Sequence, residues 1–424
     1  MAQSKLGTPT QTSRRSFLGA GSYGALLVSA ASGIQSRRPV LATPQGLDDD
    51  AWEDVRAQFL LEPGVAYLNN ASLGMPPVQV VEAVARGYRA LSREPLHGKY
   101  ELNDTIQQRV LPKLARTLGA DPEELALTRN ATEALHLQTV GLQLQPGDEV
   151  LYTSQEHPAG RRPWEFRTRY HGITARPIFV PSPLPSEDEV VEILEGAIGD
   201  KTRAIAFCHV TRGGHLYPVK RLSSMARSRG VISLVDGAQA VGMFPINLRG
   251  LGCDAYSASL HKWLLGPVGT GVLFVRTEAR AQIRSSYAPD ATLASPALAP
   301  PGTVDLPLRA ALEAALDFSA TIGLENIERR TRYLSDYLKQ RLVEMKELTL
   351  LSGETNQVSG PASTIFEMKG VDPLALVPLF DREHSMHIDE HQRDGHNAIR
   401  ISTHVYNTTR ELDRLISALV GLRG

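Results

Sequence analysis

A lysine lies in an apolar loop of this chain, directly between a histidine and a tryptophan. Lys262 follows His261 and precedes Trp263, and a leucine flanks these three residues on each side. Burying an ammonium group costs free energy, so a lysine in such a loop has a lowered pKa and can form a Schiff base with a carbonyl compound. A single lysine in a loop is also a common surface residue, so this interpretation needs support from other residues.

An aspartate ends an apolar run upstream of this lysine. Residues 231–235 read Val-Ile-Ser-Leu-Val, which predicts a buried strand, and Asp236 follows them. Ligands of open α/β sheets bind at the carboxyl ends of the strands. A carboxylate in that place can keep a pyridine nitrogen protonated, whereas capping of a following helix explains the same residue.

A strand-to-helix junction at residues 128–134 is the third feature. Backbone N–H groups at the start of a helix, together with the hydroxyl of Thr132, can receive a phosphate group. Capping of that helix by Asn130 is the simpler explanation of the same residues.

Strands and helices alternate around these three features. The pattern predicts strands at 125–128, 149–153, 203–210, 231–235 and 271–275, with helices at 132–144, 186–198 and 219–229. This order is typical of an α/β fold with a mainly parallel sheet. Helical patterns at 78–93 and 306–346, short strands within 360–420 and a final helix at 409–422 predict a second, smaller α+β domain.

With these motifs in this order, the chain resembles the class V aminotransferase family of pyridoxal-phosphate-dependent, fold-type I enzymes, and within it the isopenicillin N epimerase-like branch. The resemblance spans residues 65 to 420, and its motifs lie at 67–74, 130–133, 156–159, 236–239, 259–262, 302–303 and 400–402. It implies an N-terminal segment (43–80) that contributes to the active site and the small domain. It also implies a large cofactor-binding domain (81–304) with a mainly parallel, seven-stranded type of sheet, and a small C-terminal domain (305–424).

The resemblance implies a role for each motif residue around the cofactor, pyridoxal 5'-phosphate. Lys262 binds the cofactor as a Schiff base and later moves the α-proton of the substrate. Asp236 pairs with the ring nitrogen, His157 stacks on the ring, and Gln239 donates to the phenolic oxygen. The phosphate is held by Ala131, Thr132, Ser259 and His261.

The same resemblance implies a homodimer and a place for the substrate. Thr303, after Gly302, is the residue by which the neighbouring subunit reaches the phosphate. Arg400 is the carboxylate-binding arginine, for which bidentate geometry is the reason to use Arg. The loop that contains Asn70 lines the substrate side.

Two departures from relatives concern the chemistry. Arg212 follows His-Val-Thr where many relatives carry an asparagine, which brings a second positive charge toward the substrate. Residues 347–399 contain no cysteine, so the nucleophile of the cysteine desulfurase branch is lacking. Cys208 and Cys253 lie in or beside apolar strands, which is typical of packing residues.

Four histidines, His384, His387, His391 and His396, raise the question of a metal site. Their spacing matches no closed tetrahedral pattern, and the acidic residues between them are typical of a solvated loop. We therefore predict no functional metal. A role of this stretch in controlling access of the substrate is the preferred hypothesis.

The composition excludes several classes of protein. Lys and Arg total 45 against 46 Asp and Glu, a net charge of -1 without the basic surplus of a nucleic-acid-binding protein. Hydrophobic residues make up 42% and the mean hydropathy is -0.18, as in an ordinary globular protein. Two cysteines exclude a disulfide scaffold.

The N-terminus predicts export in the folded state. Arg14 and Arg15 precede a weakly hydrophobic stretch at 17–34, and a small-residue cleavage site ends at Ala42. This pattern resembles a Tat signal peptide (1–42) and predicts a periplasmic protein without a stable membrane anchor. A disordered basic N-terminus is the alternative.

These observations predict an enzyme that acts at the α-amino group of an amino acid or a small peptide. Transamination, epimerisation and β-elimination of a C–S bond from a cysteine conjugate all remain open. A non-catalytic protein that binds the cofactor or the substrate is a second class, which the Schiff-base lysine disfavours. A hydrolase using a metal at the histidines is a third.

Overall fold

Thirteen strands make up the sheets of the computed structural model, which describes residues 43–285, 287, 302–353, 355–393 and 395–422. In chain order they are β1 (Ala66–Tyr67), β2 (Leu125–Thr128), β3 (Glu149–Thr153), β4 (Thr174–Ile178), β5 (Thr202–Cys208), β6 (Ile232–Asp236), β7 (Ala255–Ser259), β8 (Gly271–Val275), β9 (Leu348–Leu350), β10 (Ser363–Met368), β11 (Met386–His387), β12 (Asp389–Arg393) and β13 (His396–Ser402). The predicted signal peptide lies outside the described residues.

Helices connect and cover these strands. They are α1 (Glu53–Arg56), α2 (Val78–Arg93), α3 (Pro95–Thr105), α4 (Leu111–Leu118), α5 (Ala131–Gly141), α6 (Pro158–His171), α7 (Glu187–Ala197), α8 (Val219–Ser228), α9 (Leu248–Leu251), α10 (Leu306–Ile322), α11 (Leu324–Val343), α12 (Pro373–His384) and α13 (Thr409–Gly421). A π-helical turn, Ile106–Val110, joins α3 to α4. Within the described ranges, no helix has both the length and the apolar character to cross a membrane.

The main sheet has seven strands in the order β2–β8–β7–β6–β5–β3–β4. Only β8 runs antiparallel to its neighbours, so the predicted mainly parallel sheet is confirmed. The carboxyl ends of β2, β3, β5, β6 and β7 therefore meet at one edge, which is where such sheets bind ligands.

Both faces of this sheet are covered. Along β5, Ile205 and Phe207 join one apolar cluster, whereas Ala204 and Ala206 join another, because successive side chains of a strand point to opposite faces. Strands buried on both faces read as continuous apolar runs, which is why the sequence predicts them well.

The smaller sheet is antiparallel, with the order β12–β13–β10–β9, and the N-terminal strand β1 pairs separately with β11. Apolar residues of α11, α12 and α13 form one core with the smaller sheet and with the β1–β11 pair. Helix α10 instead joins the apolar cluster of the main sheet through Leu312 and Leu316. The predicted domain boundary at 304–305 stays a prediction, and it falls directly before this helix.

The helical pattern at 306–346 is two helices, not one. Gly323, between α10 and α11, has a backbone φ of 88°, a conformation that residues other than glycine rarely adopt. Because of this break, α10 packs into the core of the main sheet and α11 packs into the core of the smaller sheet.

Candidate active site

A cavity of about 340 Å³ lies at the carboxyl edge of the main sheet. It brings together eight of the predicted site residues: Ala131, Thr132, His157, Asp236, Gln239, Ser259, His261 and Lys262. Its volume is within the range of about 300–1,000 Å³ that is usual for small-molecule sites.

Lys262 stands in the loop after β7, and its backbone is held by the loop after β1. Gly74 N donates to His261 O at 2.9 Å, and a Cβ on Gly74 would lie 1.9 Å from the carbonyl oxygen of Lys262. Only a glycine fits this approach. Across the described ranges the Lys262 ammonium makes no hydrogen bond or ion pair, and burial lowers its pKa to about 8 although Asp236 opposes this shift.

Asp236 is the last residue of β6, and its carboxylate is buried at the cavity. Its Oδ1 accepts a hydrogen bond from Ala238 N at 2.8 Å. Burial raises its pKa, while this hydrogen bond and the charge of Lys262 act in the opposite direction. Turns rather than a helix follow β6 at residues 238–243, so the capping alternative is wrong.

Glu156 begins the motif at 156–159 and lies beside the cavity, although no role was predicted for it. With Cys208 and Asp236 it forms a buried group whose ligand atoms lie within 4.8 Å of one another. Burial and the charge of Asp236 raise the pKa of Glu156 to about 8, and the Thr153 hydroxyl donates to its Oε1 at 2.9 Å. Glu156 is therefore mostly protonated at neutral pH. The three side chains lie together at the ends of β3, β5 and β6, and their spacing would also suit a metal ion.

His157 follows Glu156, and its ring lines the cavity. Its Nδ1 accepts a hydrogen bond from Ala159 N at 3.1 Å, which caps α6 and fixes the ring. Removal from bulk water and the positive charges of Lys262, Arg393, Arg212 and Arg400 lower its pKa to about 4. A neutral ring beside cations is suited to stacking on an aromatic ligand.

The start of α5 forms the anion-binding end of the cavity. Asn130 caps the helix by accepting from Glu133 N at 2.9 Å, and Ser259 Oγ accepts from Ala131 N at 3.0 Å. The side chain of Thr132 is exposed. The capping explanation is confirmed. Phosphate binding stays a prediction, which is supported by the position of this helix start on the cavity.

His261 and Gln239 line the same cavity, and both side chains are hydrogen-bonded to other groups of the protein. His261 Nδ1 lies 2.9 Å from the carbonyl oxygen of Thr270. Gln239 donates from Nε2 to Ala71 O at 2.9 Å and accepts from Trp263 Nε1 at 2.8 Å. These contacts orient Gln239 between the loop after β1 and the loop that carries Lys262.

Three predicted residues lie outside this cavity. Thr303 lines a neighbouring cavity of about 600 Å³, which shares Asn130 and Gly269 with the first. Asn70 is fully buried, and its Oδ1 accepts from the Tyr406 hydroxyl at 2.7 Å. Arg400, on β13, is buried and lines neither cavity.

Arg400 is paired with protein groups. It binds the Asp389 carboxylate and donates to Asn69 Oδ1 at 3.1 Å, so Asn69 rather than Asn70 contacts it. Asp389 also lies 3.0 Å from Arg212, which lines the cavity. Residues 389–393, between His387 and His396, form strand β12, and Asp389 is paired with two arginines, so the expectation of a solvated loop is wrong for Asp389.

The four histidines are separated. His387 lies 3.3 Å from Asp381, His396 lies 3.3 Å from Glu367, and His391 lies 3.5 Å from Arg212. Within the part of the chain that is described, Glu156, Cys208 and Asp236 are the one group of three potential metal ligands.

The donor set fits pyridoxal phosphate. It offers an amine without a hydrogen-bond partner for the aldehyde, a buried carboxylate for the ring nitrogen and a helix start for the phosphate, all on one cavity. Lys262, Asp236, His157 and the start of α5 would hold it.

The sequence model of the family Aminotransferase class-V matches residues 66–415. The chain is 34% identical to the isopenicillin N epimerase of Amycolatopsis lactamdurans, over 87% of this chain and 98% of that protein. The cysteine desulfurase CsdA from Escherichia coli is 26% identical with a TM-score of 0.76, over 87% of this chain and 97% of that one. A C-DES mutant with glycine covalently linked to its PLP cofactor has a TM-score of 0.78 at 24% identity, over 86% and 98%.

Proposed function

Because this chain belongs to the class V aminotransferase family and is a pyridoxal-phosphate-dependent enzyme, we propose that it removes the α-proton of an amino acid or a small peptide. The observation that carries the proposal is the cavity in which Lys262, with its lowered pKa, shares the lining with Asp236 and His157. A protein that only binds the cofactor has no need of this combination.

Each of these side chains has a separate task. Lys262 would hold the cofactor through Nζ, and the same atom would carry the α-proton of the substrate. Asp236 keeps the pyridine nitrogen protonated, and His157 covers the ring and excludes water. Bound pyridoxal phosphate supplies an electron sink for the bond that breaks at the α-carbon.

The fate of the proton decides the reaction. A proton delivered to the opposite face of the α-carbon would give epimerisation, conversion of the amino acid to a keto acid would be transamination, and loss of a sulfur substituent from the β-carbon would be C–S cleavage. The 34% identity with an isopenicillin N epimerase supports the first of these.

A desulfurase that works through a cysteine persulfide is disfavoured by the chain itself. Its two cysteines, Cys208 and Cys253, are buried, and burial raises the pKa of both thiols. The thiolate is the nucleophile in such chemistry, so neither residue is suited to it.

The proposal includes a homodimer in the periplasm. Thr303 is exposed beside the anion-binding end of the cavity, which supports its use by a second subunit. The twin arginines support export of the folded, cofactor-loaded protein.

Exchange of the α-proton in D₂O tests the proposed chemistry directly. We expect holoenzyme to replace the α-hydrogen of at least one amino acid in a panel by deuterium, as followed by NMR, and Lys262→Ala to lose this exchange by about a thousandfold or more. The configuration of the amino acid, keto-acid formation and ammonia release then separate the three reactions. Exchange that is equally fast in Lys262→Ala would contradict the role of this lysine.

A further inference from the structure

Two arginines converge on one carboxylate beside the cavity. Asp389 Oδ2 is bound by Nη2 of Arg212 at 3.0 Å and by Nη2 of Arg400. Arg212 also reaches Glu390 Oε1 at 2.9 Å, and Arg400 Nη1 donates to the Arg212 carbonyl oxygen at 3.4 Å. Two guanidinium groups therefore meet two carboxylates, those of Asp389 and Glu390, in an arrangement typical of an anion-recognition site.

Both charges act on the reacting end of the cavity. Arg212 lines the cavity together with Lys262 and His157. Arg400 and Arg212 each lower the pKa of Lys262, and both also lower the pKa of His157. A substrate held at Lys262 is therefore within the field of two arginines.

Asp389 is placed to be exchanged for a substrate group. It lies on β12, the outer strand of the smaller sheet, and its side chain is 20% exposed, whereas that of Arg400 is 2% exposed. A buried guanidinium without an anion is strongly destabilising, so Arg400 needs a partner when no substrate is bound. Arg400 Nε is buried and has no hydrogen-bond partner among the described residues, which leaves a donor for a second acceptor.

We propose that Arg212 and Arg400 together bind a substrate with two acidic groups, such as a dicarboxylic amino acid, and that Asp389 occupies this site in the substrate-free enzyme. Arg400 takes the α-carboxylate, and Arg212 takes the second acidic group. The inference rests on the proposed function, because it names the substrate class of the same cavity.

Matched pairs of amino acids test this specificity. Aspartate and asparagine, or glutamate and glutamine, differ only in the second negative charge, and binding to holoenzyme is followed by the change in the visible absorbance of the cofactor. We expect at least one acid to bind about tenfold or more tightly than its amide. Arg212→Met should abolish this preference, and Asp389→Asn should tighten binding of the acid, because the internal competitor is lost.

Arg221→Met is the matched control. Arg221 also pairs with two carboxylates, Glu187 at 3.4 Å and Asp188 at 2.6 Å, but does not line the cavity. The Arg221→Met variant should keep the wild-type preference for the acid over its amide. Equal affinity for acid and amide, or a preference that survives in Arg212→Met, would overturn the inference while α-proton exchange still supports the proposed function. Loss of exchange with every amino acid would instead overturn the proposed function.

Discussion

Lys262 has to be neutral to attack a carbonyl carbon, and its surroundings favour that state. Burial lowers its pKa to about 8, the carboxylate of Asp236 opposes the shift, and Arg400 and Arg212 add to it. Below the pKa, the neutral fraction falls about tenfold for each pH unit. We therefore expect the rate of cofactor uptake by cofactor-free protein, followed by absorbance, to rise with pH and level off above about pH 8. A rate that does not change between pH 6 and pH 8 would contradict this.

The proposed task of Asp236 is to keep the ring nitrogen of the cofactor protonated. In Asp236→Asn the carboxylate that keeps the ring nitrogen protonated is lost, so turnover at saturating cofactor should fall by about a hundredfold or more. Asp254→Asn is a control, since Asp254 is also buried but pairs with Ser233 and Arg276 away from the cavity. It should lower stability and leave turnover of the folded enzyme near normal. Normal turnover in Asp236→Asn would show that the assigned role is wrong.

At the scale of the elements, Glu156 joins the ends of three strands as a protonated acid. Its pKa is about 8 in the folded state and about 4.3 in an unfolded chain, so between these values the folded state holds the extra proton. Its share of the free energy of unfolding is therefore fully present below about pH 4.3 and is lost as pH rises toward 8.

Glu156→Gln should remove this share of the pH dependence. Measured on cofactor-free protein between pH 6.5 and 7.5, the free energy of unfolding should change more positively with pH in the variant than in wild type. The buried histidines with lowered pKa values take up protons on unfolding in both proteins, so their contribution cancels when the two slopes are compared. Denaturant titrations at several pH values measure this slope. An unchanged slope would mean that Glu156 is ionised in the folded protein.

The sequence predicts elements well where one local signal dominates. The buried strands β2, β3 and β8 match their predicted bounds because short apolar runs bounded by turn residues are typical of strands buried on both faces. Ser186 caps α7 as the Ser-x-x-Glu pattern indicates. Strand β4, Thr174–Ile178, was not predicted, since as an edge strand it carries an arginine and a proline and lacks an apolar run.

Some residues of the candidate site could be predicted from the sequence, and others could not. Lys262, Asp236 and Thr132 could be predicted from residue chemistry and from their places in a loop, at a strand end and at a helix start. The other five predicted residues of the cavity, Ala131, His157, Gln239, Ser259 and His261, were predicted only through the resemblance to the family. The pairing of Asp389 with Arg212 and Arg400 depends on how β12 packs against a distant loop, and no local pattern records that contact. Glu156 was overlooked because a buried acid is recognised only from its burial.

At the scale of the whole molecule, the proposed export would link the N-terminus to the cofactor. A pathway that carries folded proteins allows pyridoxal phosphate to be bound in the cytoplasm before transport. We expect mature protein from the periplasm to begin near Thr43 and to carry bound cofactor, as shown by N-terminal sequencing and absorbance. Replacing Arg14 and Arg15 by lysine should trap cofactor-loaded precursor in the cytoplasm. Normal arrival of this variant in the periplasm would contradict the Tat assignment.

The covalent link between Lys262 and its cofactor is the central claim and can be mapped directly. Reduction of the holoenzyme with borohydride fixes the cofactor to the nitrogen that holds it, and peptide mass spectrometry then locates the added phosphopyridoxyl group. The account predicts this group on Lys262 alone and its absence from that site in Lys262→Ala. A phosphopyridoxyl group on another lysine of the wild-type protein, with Lys262 unmodified, would contradict the account.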